Sequence, residues 1–201
     1  MFADAKIVNL FPTAVWAHTL TPEDAETVNR KTLDAVETLK AESPARAAGE
    51  AWQTERRLHT QPEFLVIAGL IKDAAVGVLG KLQVEAGGVT LGGLWATVVP
   101  QGATGAPGGG AKAANPAASL SGVYLVTAPG GSDGVTFDDP KPGLNLEGAT
   151  AVQPNAYTAR NASIALKAGT LLVFPAWLSH TVSPGTAEGE RVTLGFDITL
   201  G

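Results

Sequence analysis

Residues 169–198 read GTLLVFPAWLSHTVSPGTAEGERVTLGFDI, and this stretch carries the strongest signal for the fold. Its two halves, TLLVFPAWL and RVTLGFDITL, run apolar or alternate apolar and polar side chains, which predicts two strands with at least one buried face each. The polar segment between them predicts a turn, so we expect the two strands to pair. His180 then lies just beyond the first strand, and Arg191 begins the second. Such a histidine can hold a metal ion, and such an arginine can bind a carboxylate through two parallel hydrogen bonds.

The composition predicts a single folded domain that spans residues 1–201. Hydrophobic residues make up 45% of the chain and charged residues only 16%, with 24 Gly and 13 Pro, which favours a compact, loop-rich protein with much β-structure. The net charge of −5, without a stripe of Lys or Arg, argues against nucleic acid as a partner. No apolar run is long enough to span a membrane. We therefore expect a soluble protein made in the cytoplasm, and the absence of cysteine agrees with that compartment.

Two helices precede the predicted strands and form a helical region at about residues 21–86. Thr21 is a suitable N-cap and Pro22 a suitable first residue for one helix, which we expect to end by Ser43. A second helix begins near Pro62 and ends before Gly87, because apolar residues recur there at steps of three and four. This apolar face predicts that the second helix covers a sheet.

From about residue 89 to residue 201 the pattern changes to short strands separated by loops. The strand segments are VTLGGLWATVV, SLSGVYLVTA, GVTF, SIALK and the two halves of residues 169–198. An eighteen-residue segment rich in Gly and Ala, QGATGAPGGGAKAANPAA, separates the first two. The pattern predicts an α+β, mainly β fold: a jelly roll with two N-terminal helices packed on one sheet.

The segments WQTERRLHTQPEF, LWATVVPQG, NPAASLSGVYLV, FDDP, GTLLVFPAWLSHTVSP and ERVTLGFDI resemble, in this order, the blocks of a known family. It is the family of 2-oxoglutarate and Fe(II)-dependent oxygenases found in bacteria and phages. The resemblance implies a double-stranded β-helix, which is a jelly roll. It also implies Fe(II) and 2-oxoglutarate as cofactors, His180 as the distal iron ligand, and Arg191 as the partner of the far carboxylate of 2-oxoglutarate. Tyr124 and Thr193 would assist Arg191 from neighbouring strands.

The chain departs from the family where the first iron ligands are expected. A histidine-rich HxHP-like motif precedes the SLSGVYLV block in the family, whereas this chain has Ala113, Ala114, Asn115 and Pro116. Alanine has no donor atom, and a neutral amide is a poor ligand for Fe(II) beside imidazole and carboxylate. The remaining candidates lie in other blocks: His18, His59, Asp133, Asp138 and Asp139. We therefore predict that the iron site is lost and that no cofactor is bound.

Three functions stay open at this point. The first is a non-catalytic structural or binding protein with other protein subunits as partners in a homo- or hetero-oligomer. A component of a phage or phage-like particle, such as the base of a spike or fibre, would be one example. The second is a hydroxylase that uses His180, a carboxylate of the DDP segment and Arg191. The third is a metal-free binder of a glycan or small anion that uses Arg191.

A simpler interpretation of the two retained residues also stays open. His180 would then only bind a loop carbonyl. Arg191 would pair with Glu188 or Glu190 at a surface turn, where an ion pair contributes little to stability.

Overall fold

The structure, a computed structural model, describes residues 4–43, 49–101, 103, 114–127, 129, 133–141, 153, 155–182 and 188–201. The helices are α1 (Pro22–Ala41) and α2 (Leu65–Leu82), and short 3-10 turns cover Leu58–Thr60 and Pro62–Phe64. The strands are β1 (Trp16–Thr19), β2 (Trp52–Gln53), β3 (Val89–Val99), β4 (Leu120–Thr127), β5 (Asp133–Asp138), β6 (Asn161–Leu166), β7 (Thr170–Pro175), β8 (His180–Val182) and β9 (Arg191–Leu200).

The strands form two antiparallel sheets. The larger sheet has six strands in the order β1-β7-β4-β9-β3-β2, and the smaller has three in the order β6-β5-β8. The two helices precede almost the whole β region and pack on the larger sheet. The predicted α+β, mainly β fold, a jelly roll with two helices on one sheet, is confirmed.

The pairing predicted within residues 169–198 is wrong. β7 and β9 both lie in the larger sheet, but β4 lies between them and pairs with each. His180 begins β8, which belongs to the smaller sheet and pairs with β5. The segment between β7 and β9 therefore crosses from one sheet to the other, instead of closing a hairpin.

Each face of the larger sheet packs against a different layer. Apolar residues of β9 at alternate positions, from Val192 to Ile198, join one core cluster with the inward faces of α1 and α2. Val123, Leu125, Leu172 and Phe174 join a second cluster with residues of the smaller sheet. We call this second side of the larger sheet the inner face. Because successive side chains of a strand point to opposite faces, Arg191, Thr193 and Asp197 lie on the inner face.

Local sequence signals predicted the helix boundaries, except that α2 begins at Leu65 and not near Pro62. Thr21 Oγ1 accepts a hydrogen bond from the backbone N of Asp24 at 3.2 Å, and Pro22 is the first residue of α1, as predicted. α2 begins at Leu65, after a 3-10 turn over Pro62–Phe64, and ends at Leu82 with Gln83 in the left-handed conformation. Within the described residues, neither helix has the length and apolar character needed to cross a membrane.

Candidate functional site on the inner face

His180 lies among aromatic side chains where the two sheets face each other. Its ring centroid is 4.6 Å from that of Phe174 on β7 and 6.0 Å from that of Phe137 on β5. Its Nδ1 lies 3.1 Å from the carbonyl O of Leu178. Because a carbonyl only accepts hydrogen bonds, Nδ1 carries the proton in a neutral ring, and Nε2 is the nitrogen with the lone pair. The contact with a loop carbonyl is thus present, as the simpler interpretation of His180 expects.

Arg191 is buried at the start of β9, with 1% of its surface exposed. Thr193 follows it on the same face of the strand and is also buried. Glu190, one of the two acids considered as a surface partner, forms an ion pair with Lys40 of α1. The burial of Arg191 excludes a position at an exposed turn. Arg191 and Thr193 therefore share the inner face, as expected for a pair that binds one ligand.

Tyr124 lies on the opposite face of the sheet, and its predicted role beside Arg191 is corrected here. Its cross-strand partner is Leu194, and both side chains belong to the cluster that faces the helices. The hydroxyl of Tyr124 donates a hydrogen bond to Oδ1 of Asn29 on α1 at 2.5 Å. Burial raises the pKa of the Tyr124 phenol to about 12. Tyr124 therefore attaches β4 to α1, and its side chain does not lie on the inner face with Arg191 and Thr193.

A buried carboxylate, Asp197, organises the other end of β9. Asp197 is 6% exposed and lies on the inner face. Its Oδ1 accepts a hydrogen bond from Ser121 Oγ at 2.6 Å, and its Oδ2 accepts one from Asn115 Nδ2 at 2.8 Å. Arg56 completes the set with an ion pair to Oδ2. We call Asp197, Arg56, Asn115 and Ser121 the Asp197 cluster.

Both polar atoms of the Asn115 side chain have hydrogen-bond partners within the chain. Its Oδ1 accepts a hydrogen bond from the backbone N of Ala117 at 3.1 Å, while its Nδ2 donates to Asp197. Its backbone N donates to the carbonyl O of Ala176 at 2.8 Å, just beyond β7. Asn115, at the position where the resemblance implies a histidine, therefore has a structural role. Ala114 has no donor atom, and Ala113 lies outside the described residues.

Two flat groups stack above the middle of β9. The indole ring of Trp95 lies against Gly195, its cross-strand partner, where an added Cβ would overlap the ring. The guanidinium carbon of Arg56 lies 3.8 Å from the centroid of the Trp95 ring, which is a cation–π contact. Arg56 thus joins Trp95 to Asp197. This arrangement was not predicted from the sequence, although the alternation of RVTLGFD places Asp197 on the same face as Arg191 and Thr193.

The two other histidines, which are candidate metal ligands, lie in different parts of the fold from His180. His18 on β1 pairs with Leu171, whose side chain faces the helices, so His18 lies on that face too. Burial, with a smaller effect of Lys81, lowers the pKa of His18. His59 lies in a 3-10 turn ahead of α2, and its pKa is lowered by burial and then by Lys72 and Arg57. Neither histidine approaches His180.

The aspartates of the FDDP segment have local partners. Asp138 Oδ2 accepts a hydrogen bond from Ser179 Oγ at 3.0 Å, directly before His180. Asp139 Oδ1 accepts one from the backbone N of Lys141 at 3.0 Å and is exposed. The side chain of Asp133 lies outside the described part.

The residues present do not fit the iron site of two histidines and one carboxylate that the resemblance implies. The chain has three histidines, and the two besides His180 lie on the helix side of the larger sheet and ahead of α2. Within the residues that the structure describes, no three His, Asp or Glu side chains are grouped to hold a metal ion. At most one imidazole is therefore available on the inner face.

Comparison with known proteins identifies a matching family and solved structures with a similar fold. The family described as "Putative 2OG-Fe(II) oxygenase" matches residues 94–197, which is just over half of the chain. A prolyl-4-hydroxylase from Pseudomonas putida matches with a TM-score of 0.57 and 13% identity, over 94% of each chain. HygX from Streptomyces hygroscopicus, solved with nickel and 2-oxoglutarate, matches with a TM-score of 0.56 and 12% identity, over 93% of this chain and 83% of that one.

A further similar structure is an oxidoreductase of the 2OG-Fe(II) oxygenase family from Burkholderia pseudomallei, with a TM-score of 0.53 and 16% identity over 91% of this chain and 84% of that one. No curated protein matches the chain in sequence. At these identities the solved structures show the shared fold, while the family match runs from the middle of β3 through most of β9. The chain therefore belongs to the 2OG-Fe(II) oxygenase family.

Proposed function

We propose that this protein is a non-catalytic binding or structural member of its family, in which the iron site is lost. The observation that carries the proposal is the position of Asn115. Where the family's motif has a histidine, this chain has an amide whose Nδ2 donates to Asp197 and whose Oδ1 accepts from Ala117. An amide binds a metal through its oxygen, which is a weaker ligand for Fe(II) than imidazole, and Oδ1 of Asn115 already accepts a hydrogen bond from Ala117.

The charge balance of the Asp197 cluster supports the same proposal. Asp197 is the only member with a negative charge, and it accepts from Ser121, Asn115 and the guanidinium of Arg56. A buried carboxylate needs such partners, because an unpaired buried charge is strongly unfavourable. The carboxylate is thus satisfied by the chain itself. Recruiting it as an iron ligand would break hydrogen bonds that hold Asn115 and Ser121.

An anaerobic titration with Fe(II) and 2-oxoglutarate tests the loss of iron. A bound centre gives a metal-to-ligand charge-transfer absorption, and turnover in air gives succinate. We expect neither signal from this protein. HygX, which has been solved with iron bound and with nickel and 2-oxoglutarate bound, is the positive control for the absorption. Either signal would overturn the proposal and favour the alternative, a hydroxylase that uses His180, Asp138 and Arg191. The hydrogen bond between Ser179 and Asp138 favours that alternative, since it places a carboxylate beside the strand of His180.

In a second form of the proposal, the protein binds a small anion through Arg191 without a metal ion. A fully buried guanidinium next to Thr193 on the inner face is suited to a carboxylate, which it can bind through two parallel hydrogen bonds. Calorimetric titration with 2-oxoglutarate, succinate and phosphate, without metal, measures such binding. We expect Arg191→Met to weaken the binding at least about tenfold, because a hydrogen bond to a charged group contributes about 1.5 to 3 kcal/mol. Arg160→Met, at an exposed arginine, is the matched control and should bind like the wild type.

Other protein subunits are the partners that we propose for a structural role, with the base of a phage spike or fibre as the concrete case. Four large apolar side chains near the start of the chain, Ile7, Val8, Leu10 and Phe11, are all more than half exposed. Exposed apolar residues in this number are typical of an interaction surface. Co-purification with the other proteins of a particle tests the structural role, and a glycan array tests the remaining ligand class. Failure of both would leave the anion site as the function to pursue.

A further inference from the structure

The outer side of β6 is the longest strand edge without a neighbouring strand in the part of the fold that the structure describes. β6 ends the order β6-β5-β8 and has six residues, whereas the other edge strands, β1, β2 and β8, have four, two and three. We call the side of β6 that faces away from β5 the β6 edge. Its sequence, NASIAL, has no charge and no proline, and its register with β5 has no bulge. Proteins normally protect a strand edge with such features, because free backbone groups pair with other chains.

A hydrogen bond at the end of the β5–β6 pair shows which backbone groups of β6 point outward. The backbone N of Asp139 donates to the carbonyl O of Arg160 at 2.9 Å, so Arg160 and every second residue after it bind β5. The residues between them, Asn161, Ser163 and Ala165, direct their backbone N–H and C=O groups away from β5. Among the residues that the structure describes, these six groups have no partner. The β6 edge therefore offers three donors and three acceptors in one row.

The side chains along the β6 edge leave room for another strand. Asn161, Ser163 and Ala165 are small, and all three are exposed on the outer side of the smaller sheet. On the opposite side, Ile164 is only partly buried and packs at the border of the second core cluster. An added strand would bond to the free backbone groups and cover Ile164 with an apolar side chain of its own. In such strand addition, backbone hydrogen bonds give affinity and alternate side chains give specificity.

We propose that the β6 edge binds an extended segment of another protein, with an acidic residue at each end, as a further antiparallel strand of the smaller sheet. The charge of the edge favours this partner. Arg160 and Lys167 lie at the two ends of β6, are both exposed, and form no ion pair with the described residues. The nearest described acids on this side of the sheet, Asp138 and Asp139, accept hydrogen bonds from neighbouring groups of the chain. An acid opposite each cation would supply the missing opposite charges.

A second copy of β6 fits this edge less well for the same reason. In the antiparallel register that pairs all three outward residues, Ser163 lies on the two-fold axis. Arg160 then lies opposite Leu166 of the partner subunit, next to Lys167 of the partner subunit. Each end of such a pair would carry two cations close together, and like charges across a strand pair are destabilising. A segment with acidic ends avoids this repulsion.

A fluorescently labelled peptide of sequence EVTVTVTE is the probe for this edge. Antiparallel pairing places its first residue opposite Lys167 and its last opposite Arg160, with its valines on the side of Ile164. Fluorescence anisotropy at low salt measures the dissociation constant. We expect binding about tenfold tighter than for the control peptide KVTVTVTK, because two attractive charge pairs replace two repulsive ones.

Methylation of the peptide backbone tests whether the contact is a strand pair. The N–H of the fifth peptide residue points at Ser163, whereas the N–H of the fourth points away from β6. A methyl group on the fifth nitrogen removes a donor and blocks close approach, so it should weaken binding at least about tenfold. A methyl group on the fourth nitrogen is the matched control and should leave the dissociation constant within about threefold.

Ser163→Pro tests the same contact from the side of the protein. The N–H of Ser163 faces outward, so proline there removes an edge donor without breaking the pairing with β5, and circular dichroism should show an intact fold. Binding of EVTVTVTE should be lost. Ser163→Ala, which gives up only the hydrogen bond to Thr136, should bind like the wild type. Lys167→Glu should weaken binding, whereas Lys31→Glu, on the exposed side of α1, should not.

Absence of EVTVTVTE binding up to about 1 mM overturns the proposal. So does binding that survives both Ser163→Pro and methylation of the fifth nitrogen. A dimer of the protein alone that Ser163→Pro dissociates in sedimentation velocity would assign the edge to a second copy and overturn the choice of partner. The inference rests on the proposed structural role only in assigning the edge to another protein. Peptide binding does not depend on the iron titration, so each proposal can fail without the other.

Discussion

The two ends of β9 carry opposite charges in opposite settings. Arg191 and Asp197 lie on the inner face about 20 Å apart, from six residues at about 3.3 Å each. The Asp197 end is closed by Ser121, Asn115 and Arg56, which bind both carboxylate oxygens. The Arg191 end instead places a buried guanidinium beside Thr193. The Asp197 end is therefore part of the structural framework, whereas the anion site that we propose would use the Arg191 end.

Removing the Asp197 carboxylate should have the largest effect, and it tests whether this end of β9 is structural. Asp197→Ala leaves Ser121 and Asn115 without their acceptor and Arg56 without its ion-pair partner. We expect the free energy of unfolding to fall by about 3 kcal/mol, because the hydrogen-bonding groups of Ser121 and Asn115 each lose their acceptor, at about 1 to 3 kcal/mol for a buried unpaired group. Arg56, with 56% of its side chain exposed, remains hydrated. Urea unfolding measures it. Asp34→Ala, at an exposed position of α1, should stay within about 0.5 kcal/mol of the wild type. Equal losses in the two variants would show that the cluster is not structural.

Gly195→Ala tests the packing of Trp95 on β9 between Arg191 and Asp197. Gly195→Ala introduces a Cβ that overlaps the ring of Trp95, and moving this ring also disturbs Arg56. We expect a loss of about 2 kcal/mol in the free energy of unfolding, as for an overpacked core. At Gly92 of β3 the nearest atom to an added Cβ is 3.7 Å away, an ordinary contact. Gly92→Ala is therefore the control, and a similar loss there would contradict the assigned role of Trp95.

Asn115 sharpens the comparison because it lies where the resemblance to the family implies a histidine ligand. Asn115→Ala removes the hydrogen bonds to Asp197 and to Ala117 and should cost about 1.5 kcal/mol in urea unfolding. Binding of small anions at Arg191 should be unchanged. Asn161→Ala, at an exposed position of β6, is the control for the loss of an amide. A variant with unchanged stability would remove the observation on which the loss of iron rests.

Tyr124→Phe should have the smallest effect on the free energy of unfolding. It tests whether the helix side of the larger sheet can be changed without affecting the inner face. Tyr124→Phe removes the hydrogen bond to Asn29 and should cost about 1 kcal/mol, without changing anion binding at Arg191. The pKa of Tyr124 is raised to about 12 in the folded protein, so the unfolded chain, with a pKa near 10, releases this proton first. The contribution of Tyr124 to the free energy of unfolding is therefore constant below about pH 10 and falls as the pH rises toward 12. Urea unfolding of both proteins across this range should show the fall only in the wild type.

The helices and strands of this fold could be predicted from sequence more reliably than the pairing of the strands in the sheets. Thr21 and Pro22 predicted the start of α1 because a helix cap is a local interaction. The pairing of β7 with β9 was wrong because β4, which lies about fifty residues earlier, inserts between them. A turn-like segment between two strands does not show whether the chain returns to the same sheet.

The candidate site was only partly predictable for a related reason. Nearly every residue of β4 is buried, so alternation gives no signal for which face Tyr124 occupies. Asp197 was not singled out from the sequence, because its neighbours Phe196 and Ile198 are apolar. Its role becomes visible only when Arg56 and Asn115, which are distant in sequence, are seen beside it. Arg191 and His180, in contrast, lie in blocks whose resemblance to the family is strong.

β4 contributes to both core clusters and lies between two strands of the larger sheet. Its amide groups therefore cannot reach water through a local fluctuation of either layer alone. Their exchange with deuterium should require complete unfolding, so the slowest amides of β4 would report the global stability of the protein. β6, at the edge of the smaller sheet and largely exposed, should exchange orders of magnitude faster.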